Sequence, residues 1–372
     1  GDVYKRQARC IDASDDHGLL KISKILHESI FKKTKENKKR NSEKIGIILN
    51  WPGSNGSLGL GAAFSFLPDN TIKTACEQGR QKGTSGLLKN SLVRVKRYNL
   101  LRADAKYLHT RNDASQELFL HNKKILIVGA GSIGGYLSHL ACGMGGGSGN
   151  KGKVRLIDFD FFKPENVGRH FLGIESLGRR KVDAMGERLT AAYPHLNIEP
   201  IFGSILDRPE LLKSADVIIN ATGSQTTSIG IEYLISKIPK NDAPPVIHSW
   251  IQGQGLASVI LINDHKKKAC FRCLWKLDNN DTYTSRYPIA KNATDEDLIF
   301  AGCHQSYHPY AATAAITAAS DAANALKELM YGGYQNTLRF NFIQPEKCQN
   351  RPDANPEKSN DCPICSVSND NA

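Results

Sequence analysis

Lys124-Ile-Leu-Ile-Val-Gly-Ala-Gly-Ser-Ile-Gly-Gly135 is the stretch on which the fold turns. Ile125 to Val128 is a continuous apolar run, as a parallel strand buried on both faces requires. Each glycine that follows has a job in a strand–turn–helix. Gly129 permits the tight turn, Gly131 lets a phosphate approach the backbone, and Gly134 lets the helix pack closely on the strand. A helix over Tyr136–Cys142 follows, then a Gly143–Gly149 connection expected to be flexible, then a second strand, Val154–Ile157, ending in Asp158-Phe-Asp160. A helix at Lys181–Ala192 and strands at Asp216–Asn220, Pro245–His248 and Ala257–Ile262 continue the alternation. The expected fold class is α/β: a doubly wound, Rossmann-like, mainly parallel sheet. No internal repeat is found.

The rest of the chain bounds this reading. Its 372 residues, 40% hydrophobic and 23% charged, are ordinary for globular protein and exclude collagen-like or wholly disordered chains. No uncharged apolar run approaches the ~18 residues a membrane helix needs. The formal charge of +12 favours acidic ligands, nucleotides included. Part of it is local: Lys32–Lys44 holds six Lys, one Arg and two Glu, read as a solvated face, with nucleic acid not the expected partner. The chain opens GDVYKRQ, and its first methionine is Met144. The expectation is a fragment lacking its true N-terminus, with those seven residues set aside. Residues 1–42 are expected to be basic and partly disordered around an amphipathic helix at Leu19–Phe31. Residues 43–118 are expected to be a small α+β accessory region, with strands at Gly46–Trp51, Ala62–Leu67 and Leu92–Tyr98 and a Gly/Ser-rich link, Pro52–Gly61, between the first two. Nine cysteines, an odd number with two Cys-x-x-Cys pairs and no visible signal peptide, read as reduced and cytoplasmic.

The glycine turn with Asp158 suits a ribose of either NAD or ATP. The polar cluster behind it discriminates. An adenylyl-transfer site needs cations, because charge builds on the α-phosphorus and on departing pyrophosphate. Asp158, Asn166, Arg169 and Lys181 follow the turn, in Asn166-Val-Gly-Arg-His170 and at the start of the next helix. In order and nearly in spacing, they resemble the adenylation domain of the ThiF/MoeB and ubiquitin-activating enzyme family. The version here, NVGRHFLG, is most like bacterial members linked to ubiquitin-conjugation-like antiphage systems. The resemblance covers about residues 119–365. It implies that Asp158 holds ribose and that Asn166, Arg169 and Lys181 hold phosphates. It also implies that Arg111, in Tyr107–Arg111, reaches the ATP of a neighbouring protomer, with Arg102 as a rival. The family's Mg²⁺-binding carboxylate is missing, because Asn220-Ala-Thr-Gly223 stands where a Thr-Asp is usual. Mg²⁺ would then lean on Asp158, Asp160, or phosphates and water.

Cys270-Phe-Arg-Cys273 and Cys362-Pro-Ile-Cys365 can each grip one side of a tetrahedral Zn²⁺. The 88 residues between them far exceed a zinc finger's loop, and the family resemblance supplies the stronger support for one site. That site would staple the tail, residues 346–372, to an adenylation domain at 119–345. Cys303, beside His304 and ahead of a helix at Ala311–Met330, is the positional match to the family's thioester cysteine. Cys142 is a reserve, and Cys348 a possible extra zinc-side thiol. The implied activity is ATP-dependent adenylation of the C-terminal carboxylate of a ubiquitin-like or comparable small protein, then thioester formation on Cys303. The implied cofactors are ATP, Mg²⁺ and Zn²⁺. The implied partners are the tailed protein, a conjugating-enzyme-like protein or fused upstream domain, and a second copy in a homodimer. Alternatives are a sulfur-carrier adenylyltransferase of thiamin or molybdopterin type, an NAD(P)-dependent oxidoreductase, and an inactive ThiF-like binding module.

Overall fold

The computed structural model describes residues 104–111, 113–115, 117–265, 269–277, 283–292 and 308–365, and, as backbone alone, 44–53, 56–65, 96–99, 299–300, 306–307 and 366. The chain divides into two compact units, residues 1–108 and 109–372. In the first, β1 (Lys44–Gly53), β2 (Gly56–Ser65) and β3 (Lys96–Asn99) form an antiparallel sheet with β2 central. The glycine-rich link expected between two strands is itself mostly strand. Gly59 faces Asn50 and Gly61 faces Ile48, because ladder hydrogen bonds are backbone bonds and need no side chains. The expected helix at 19–31 and the start of the third expected strand, residues 92–95, lie outside the described residues.

Helix α1 (Ala105–Thr110) leads into the second unit. Its frame is β4 (Lys124–Val128), α2 (Ser132–Gly143), β5 (Lys153–Asp158), α3 (Lys181–Ala192), β6 (Ile198–Phe202), α4 (Pro209–Lys213), β7 (Val217–Asn220), α5 (Gln225–Ser236), β8 (Val246–Gln252) and β9 (Ala257–Asn263). Two small pairs follow: β10 (Trp275–Leu277) with β11 (Tyr283–Ser285), and β12 (Ile299–Phe300) with β13 (Ser306–Tyr307). Helix α6 (Ala312–Tyr331), β14 (Leu338–Phe342) and a last short helix, α7 (Pro363–Ser366), complete the unit. The seven-stranded sheet runs β14-β9-β8-β7-β4-β5-β6. Five strands are parallel; at one edge β9 runs antiparallel to β8, and β14 runs antiparallel to β9. From β4 the chain winds out through β5 to β6, then crosses back to β7. The reversal leaves a crevice at the carboxyl ends of β4 and β7, where doubly wound sheets bind ligands.

Packing follows the patterning. On one face Ile133 and Leu137 of α2, Met185 and Leu189 of α3 and the alanine stripe of α6 cover the sheet. On the other, Leu212 of α4 and Ile231 and Ile235 of α5 do so. Among the described residues no helix is long and apolar enough to cross a membrane. The Gly143–Gly149 connection, expected to be flexible, is instead packed in. Gly145 to Ser148 are buried, Gly147 accepts from the Asn197 amide (2.9 Å) and Ser148 from that of Asn122 (2.9 Å). Positive φ at Gly145, Gly147 and Gly149 serves a tight fold of the chain there, not slack.

The glycine turn is built by contact. Gly129 adopts φ +95°, and a Cβ on Gly134 would lie 1.8 Å from the Gly129 carbonyl oxygen. Helix α2 starts at Ser132, earlier than the periodicity suggested, because the glycines are part of its first turn. The Ala130 N–H donates to Asp158 Oδ2 (2.6 Å), and its carbonyl accepts from His170 Nε2 (2.7 Å). His170 Nδ1 accepts from the Leu172 amide (3.0 Å), so its single ring proton sits on Nε2. Burial, with the cations of Lys181 and Arg169, holds this imidazole down at about 4, against the opposing pull of the Ala130 carbonyl.

Two outcomes follow from this geometry. Gly134→Ala should cost about 3 kcal/mol or more, while Gly131→Ala, which meets nothing within 4 Å, should stay within about 0.5 kcal/mol of wild type. Urea midpoints of the two variants decide it. For His170, the unfolded chain takes up a proton near 6.5 and the folded chain only near 4. The unfolded state therefore binds more protons between those values. Stability due to the neutral ring is whole above about pH 6.5 and is lost as pH falls toward 4. Urea midpoints of wild type and His170→Gln should converge across that window; parallel profiles would contradict the assignment.

Candidate functional site

The carboxyl ends of β4 and β5 bring most of the expected site residues to one edge. Asp158 closes β5, and its carboxylate is already engaged. Oδ2 takes the Ala130 amide, and Oδ1 takes the Asp160 amide (2.8 Å). Asp160 in turn holds Lys181: the Lys181 Nζ donates to Asp160 Oδ2 (2.8 Å), and the Lys181 amide to the Asp160 carbonyl (3.0 Å). The Lys181 side chain is only 9% exposed, at the first residue of α3, and Asp160 is half exposed. This is a largely desolvated ammonium facing a carboxylate at the pocket rim.

Asn166 ends a single helical turn, Pro164–Asn166, and its Oδ1 accepts from the Lys163 amide (3.0 Å). That bond fixes the loop by which Arg169 and His170 return to the glycine turn. Arg169 lies 4.6 Å above the Tyr310 ring, and its Nη1 donates to the His308 carbonyl (3.4 Å). Its Nε is buried with no hydrogen-bond partner among the described residues, as is Nδ1 of His308. An unpaired guanidinium N–H at a rim built from backbone amides and cations is ready for an anionic oxygen. Arg111 is exposed in the turn after α1. Gly223 takes φ +64° in an open position, and no carboxylate stands there.

Sequence reading did not assign His170 its task, nor find the His308–Tyr310 platform under Arg169. Nothing local announced the histidine's role, which comes from its burial: at 5% exposed, the residue must satisfy both ring nitrogens inside the protein. Tyr310 and Arg169 are 141 residues apart, and no local pattern links them.

Cys303 lies outside the described residues, in the five-residue connection between β12 and β13. The other thiols are sorted by burial. Cys142 is fully buried on α2, and burial pushes its thiol up to about 12. It is inert, which corrects its standing as a reserve nucleophile. Cys348 is buried among Leu256, Phe271 and Ile289, with its Sγ against the Leu256 carbonyl (3.6 Å), and is not part of the other thiol group.

That group is Cys270, Cys273, Cys362 and Cys365, whose sulfurs all lie within 4.8 Å of one another. Cys270 is 3.7 Å from Cys273 and 3.6 Å from Cys362, and Cys273 is 3.6 Å from Cys365. Four sulfurs about 2.3 Å from a tetrahedral ion would stand about 3.8 Å apart, so the spacing fits a metal ion. The tail reaches the cluster as an added layer. Ile343 and Gln344 donate to the Leu256 carbonyl, Ala269 donates to that of Pro356, and the Ser359 amide points at Cys273 Sγ (3.4 Å).

Comparison with known proteins agrees with this architecture. The chain is 32% identical over 273 residues to the ATP-dependent ubiquitin transferase-like protein Cap2 of Pseudomonas aeruginosa, covering 73% of this chain and 48% of that one. It is 33% identical over 231 residues to Cap2 of Escherichia coli, covering 60% and 38%. It is 30% identical over 170 residues to the adenylyltransferase and sulfurtransferase UBA4 of Eremothecium gossypii, covering 44% and 35%. The chain thus spans about half or less of the length of these relatives. Among solved structures, E. coli MccB with succinimide superposes at a TM-score of 0.50 and 14% identity, over 86% of this chain and 97% of that one, a likeness of fold alone. The ThiF family model matches residues 107–364, spanning the glycine turn, the rim cations and all but one of the four clustered cysteines, and the chain belongs to the ThiF family.

Proposed function

We propose that this chain adenylates the C-terminal carboxylate of a ubiquitin-like or comparable small protein and then takes the acyl group on Cys303. The observation that carries the reading is the convergence on Ala130: its backbone N–H is held by Asp158 and its carbonyl by His170, and the cations of Lys181 and Arg169 flank that histidine. Membership of the ThiF family and similarity to the Cap2 and UBA4 proteins support it.

In the first step a carboxylate oxygen of the tail attacks the α-phosphorus of ATP. The bond from that phosphorus to the bridging oxygen breaks, and pyrophosphate leaves. The nucleophile brings its own charge, so the protein's task is to position and to neutralise. The open approach over Gly131 and the amide-rich start of α2 take phosphate oxygens. Asp158 accepts from ribose hydroxyls, and Asn166, Arg169 and Lys181 hold the phosphates. Arg111 serves the ATP of the second protomer in a homodimer. Mg²⁺ would be held by Asp158 or Asp160, or by phosphate oxygens and water, because Gly223 offers no ligand, and would neutralise phosphate charge. In the second step the Cys303 thiolate attacks the acyl carbonyl. A thioester forms and AMP departs with the electron pair of the broken acyl–phosphate bond. Transfer to a conjugating partner follows. Cys270, Cys273, Cys362 and Cys365 would hold one structural Zn²⁺, which supplies a fixed crosslink and no chemistry to the reaction. The UBA4 similarity favours a second reading in which a sulfur-carrier protein is adenylated and no thioester forms on this chain.

Separating the half-reactions tests these roles. Arg169→Ala should reduce carboxyl-dependent ATP–pyrophosphate exchange by about 10²-fold or more. Cys303→Ala should leave exchange intact and abolish the thiol-labile adduct seen without reductant. A surviving adduct would assign the acyl group to another cysteine. Exchange without any adduct in wild type would favour the sulfur-carrier reading, and NAD binding without ATP binding would refute adenylation. Elemental analysis should find about one zinc per chain. Metal-free, fully folded protein would remove the zinc assignment.

A further inference from the structure

One buried polar chain belongs to neither the nucleotide rim nor the cysteines, yet it runs between them. It begins where the loop after β7 touches the glycine turn: a Cβ on Gly129 would lie 3.1 Å from both the amide nitrogen and Cγ2 of Thr222. Thr222 donates to Asn220 Oδ1 through its hydroxyl (2.8 Å) and its amide (3.3 Å). Asn220 Nδ2 donates to Ser228 Oγ (2.8 Å) and to His248 Nδ1 (3.1 Å). His248 Nε2 donates to Glu232 Oε1 (3.0 Å), which also accepts the amide of Phe271 (3.1 Å), between Cys270 and Cys273. Glu232 Oε2 accepts from Asn263 Nδ2 (2.7 Å). Asn220, Ser228, Glu232, His248 and Asn263 are each at most 3% exposed.

The direction of this chain is fixed by its ends. The amides of Thr222 and Phe271 can only donate. Oδ1 of Asn220 must therefore face Thr222, which turns Nδ2 toward His248. His248 Nδ1 must accept, so its proton is on Nε2 and is donated to Glu232. The Ser228 hydroxyl, accepting from Asn220, passes its own proton to the Ser224 carbonyl (2.8 Å) at the start of α5. Every named member is satisfied in this one order, and a satisfied buried network specifies a single arrangement.

We propose that His248 is a positioning residue for the nucleotide pocket: held by Glu232 against the cysteine-bearing turn, it orients Asn220 and so fixes the Thr222 loop beneath Gly129. The proposal rests on the ATP reading only for its affinity measurement. A glutamine at 248 can present an acceptor to Asn220 and a donor to Glu232 in the same order; a leucine can do neither.

The test uses the full chain, with ATP affinity measured by calorimetry and the imidazole followed by ¹⁵N NMR. Wild type should show His248 as a neutral ring protonated on Nε2; a proton on Nδ1 overturns the proposal. His248→Leu should weaken ATP binding about tenfold and shift the amide resonances of Gly129 and Thr222, and His248→Gln should restore both. If the glutamine behaves like the leucine, His248 is core filler and the proposal fails. Thr222→Val, at an exposed position, should weaken binding about fivefold, and combining it with His248→Leu should add little. Strictly additive losses overturn the proposal, and Thr222→Val within twofold of wild type overturns it even if His248→Leu does not fold. If wild type binds no ATP, the nucleotide reading falls, while the tautomer and the Gly129 and Thr222 resonances still decide the positioning role.

Discussion

The backbone of Ala130, with an N–H on one peptide unit and a carbonyl on the next, is the joint from which the nucleotide edge hangs. Its N–H belongs to Asp158 at the end of β5, and its carbonyl belongs to His170 on the returning loop. Both bonds are possible only because Gly134 lets α2 start almost against the Gly129 carbonyl. A side chain there would separate turn from helix, and the amide and carbonyl would no longer point at their partners. Steric room at one glycine therefore fixes the placement of an acid and a histidine 24 and 36 residues further along the chain. Lys181 is tied to the same joint at one remove, through Asp160, whose amide rests on Asp158.

The two rim cations are held in different ways. Lys181 is nearly buried and paired with a carboxylate, so an anion arriving there meets a charge already in place but already partnered. Arg169 keeps its Nε–H without a partner among the described residues and lies over the Tyr310 ring. Stacking on an aromatic face leaves the guanidinium edge available, which an ammonium in the same place would not provide. On the proposed reading, Lys181 supplies fixed field and Arg169 supplies hydrogen bonds.

Much of this was legible in the sequence. The apolar run Ile125–Val128 marked a strand buried on both faces, Asp216–Asn220 marked another strand, and the glycine spacing marked the turn. Each Cys-x-x-Cys was visible as a local pattern, and the family resemblance gave the reason to join the two pairs across 88 residues. Less legible were elements whose identity depends on distant neighbours. Helix α5 and strands β6 and β14 were not anticipated. Ile198–Phe202 contains a proline and is only partly buried, and Leu338–Phe342 becomes a strand by pairing with β9. The Gly143–Gly149 segment misled for the converse reason. Glycine permits both slack and tight contact, and only the presence of Asn122 and Asn197 beside it decides which. His248, Asn220 and Glu232 carry no motif at all, since each comes from a different element.

The alanine face of α6 has a meaning beyond filling space. Ala314, Ala315, Ala318, Ala319, Ala322 and Ala323 are all buried where this helix meets α2, β8 and β9. The methyl groups of Ala318, Ala319, Ala322 and Ala323 pack in one layer with Ile247, Ile260 and Ile262 of the sheet and Ile133 and Leu137 of α2, and an interior packed like that does not absorb an added methylene without movement. Tyr310 stands two residues ahead of the first residue of that helix, beneath Arg169. The stripe is thus a spacer gauge for the rim. The thickness of the hydrophobic layer sets the height of an aromatic platform, so drift in core volume and drift in cation placement are one variable in this fold.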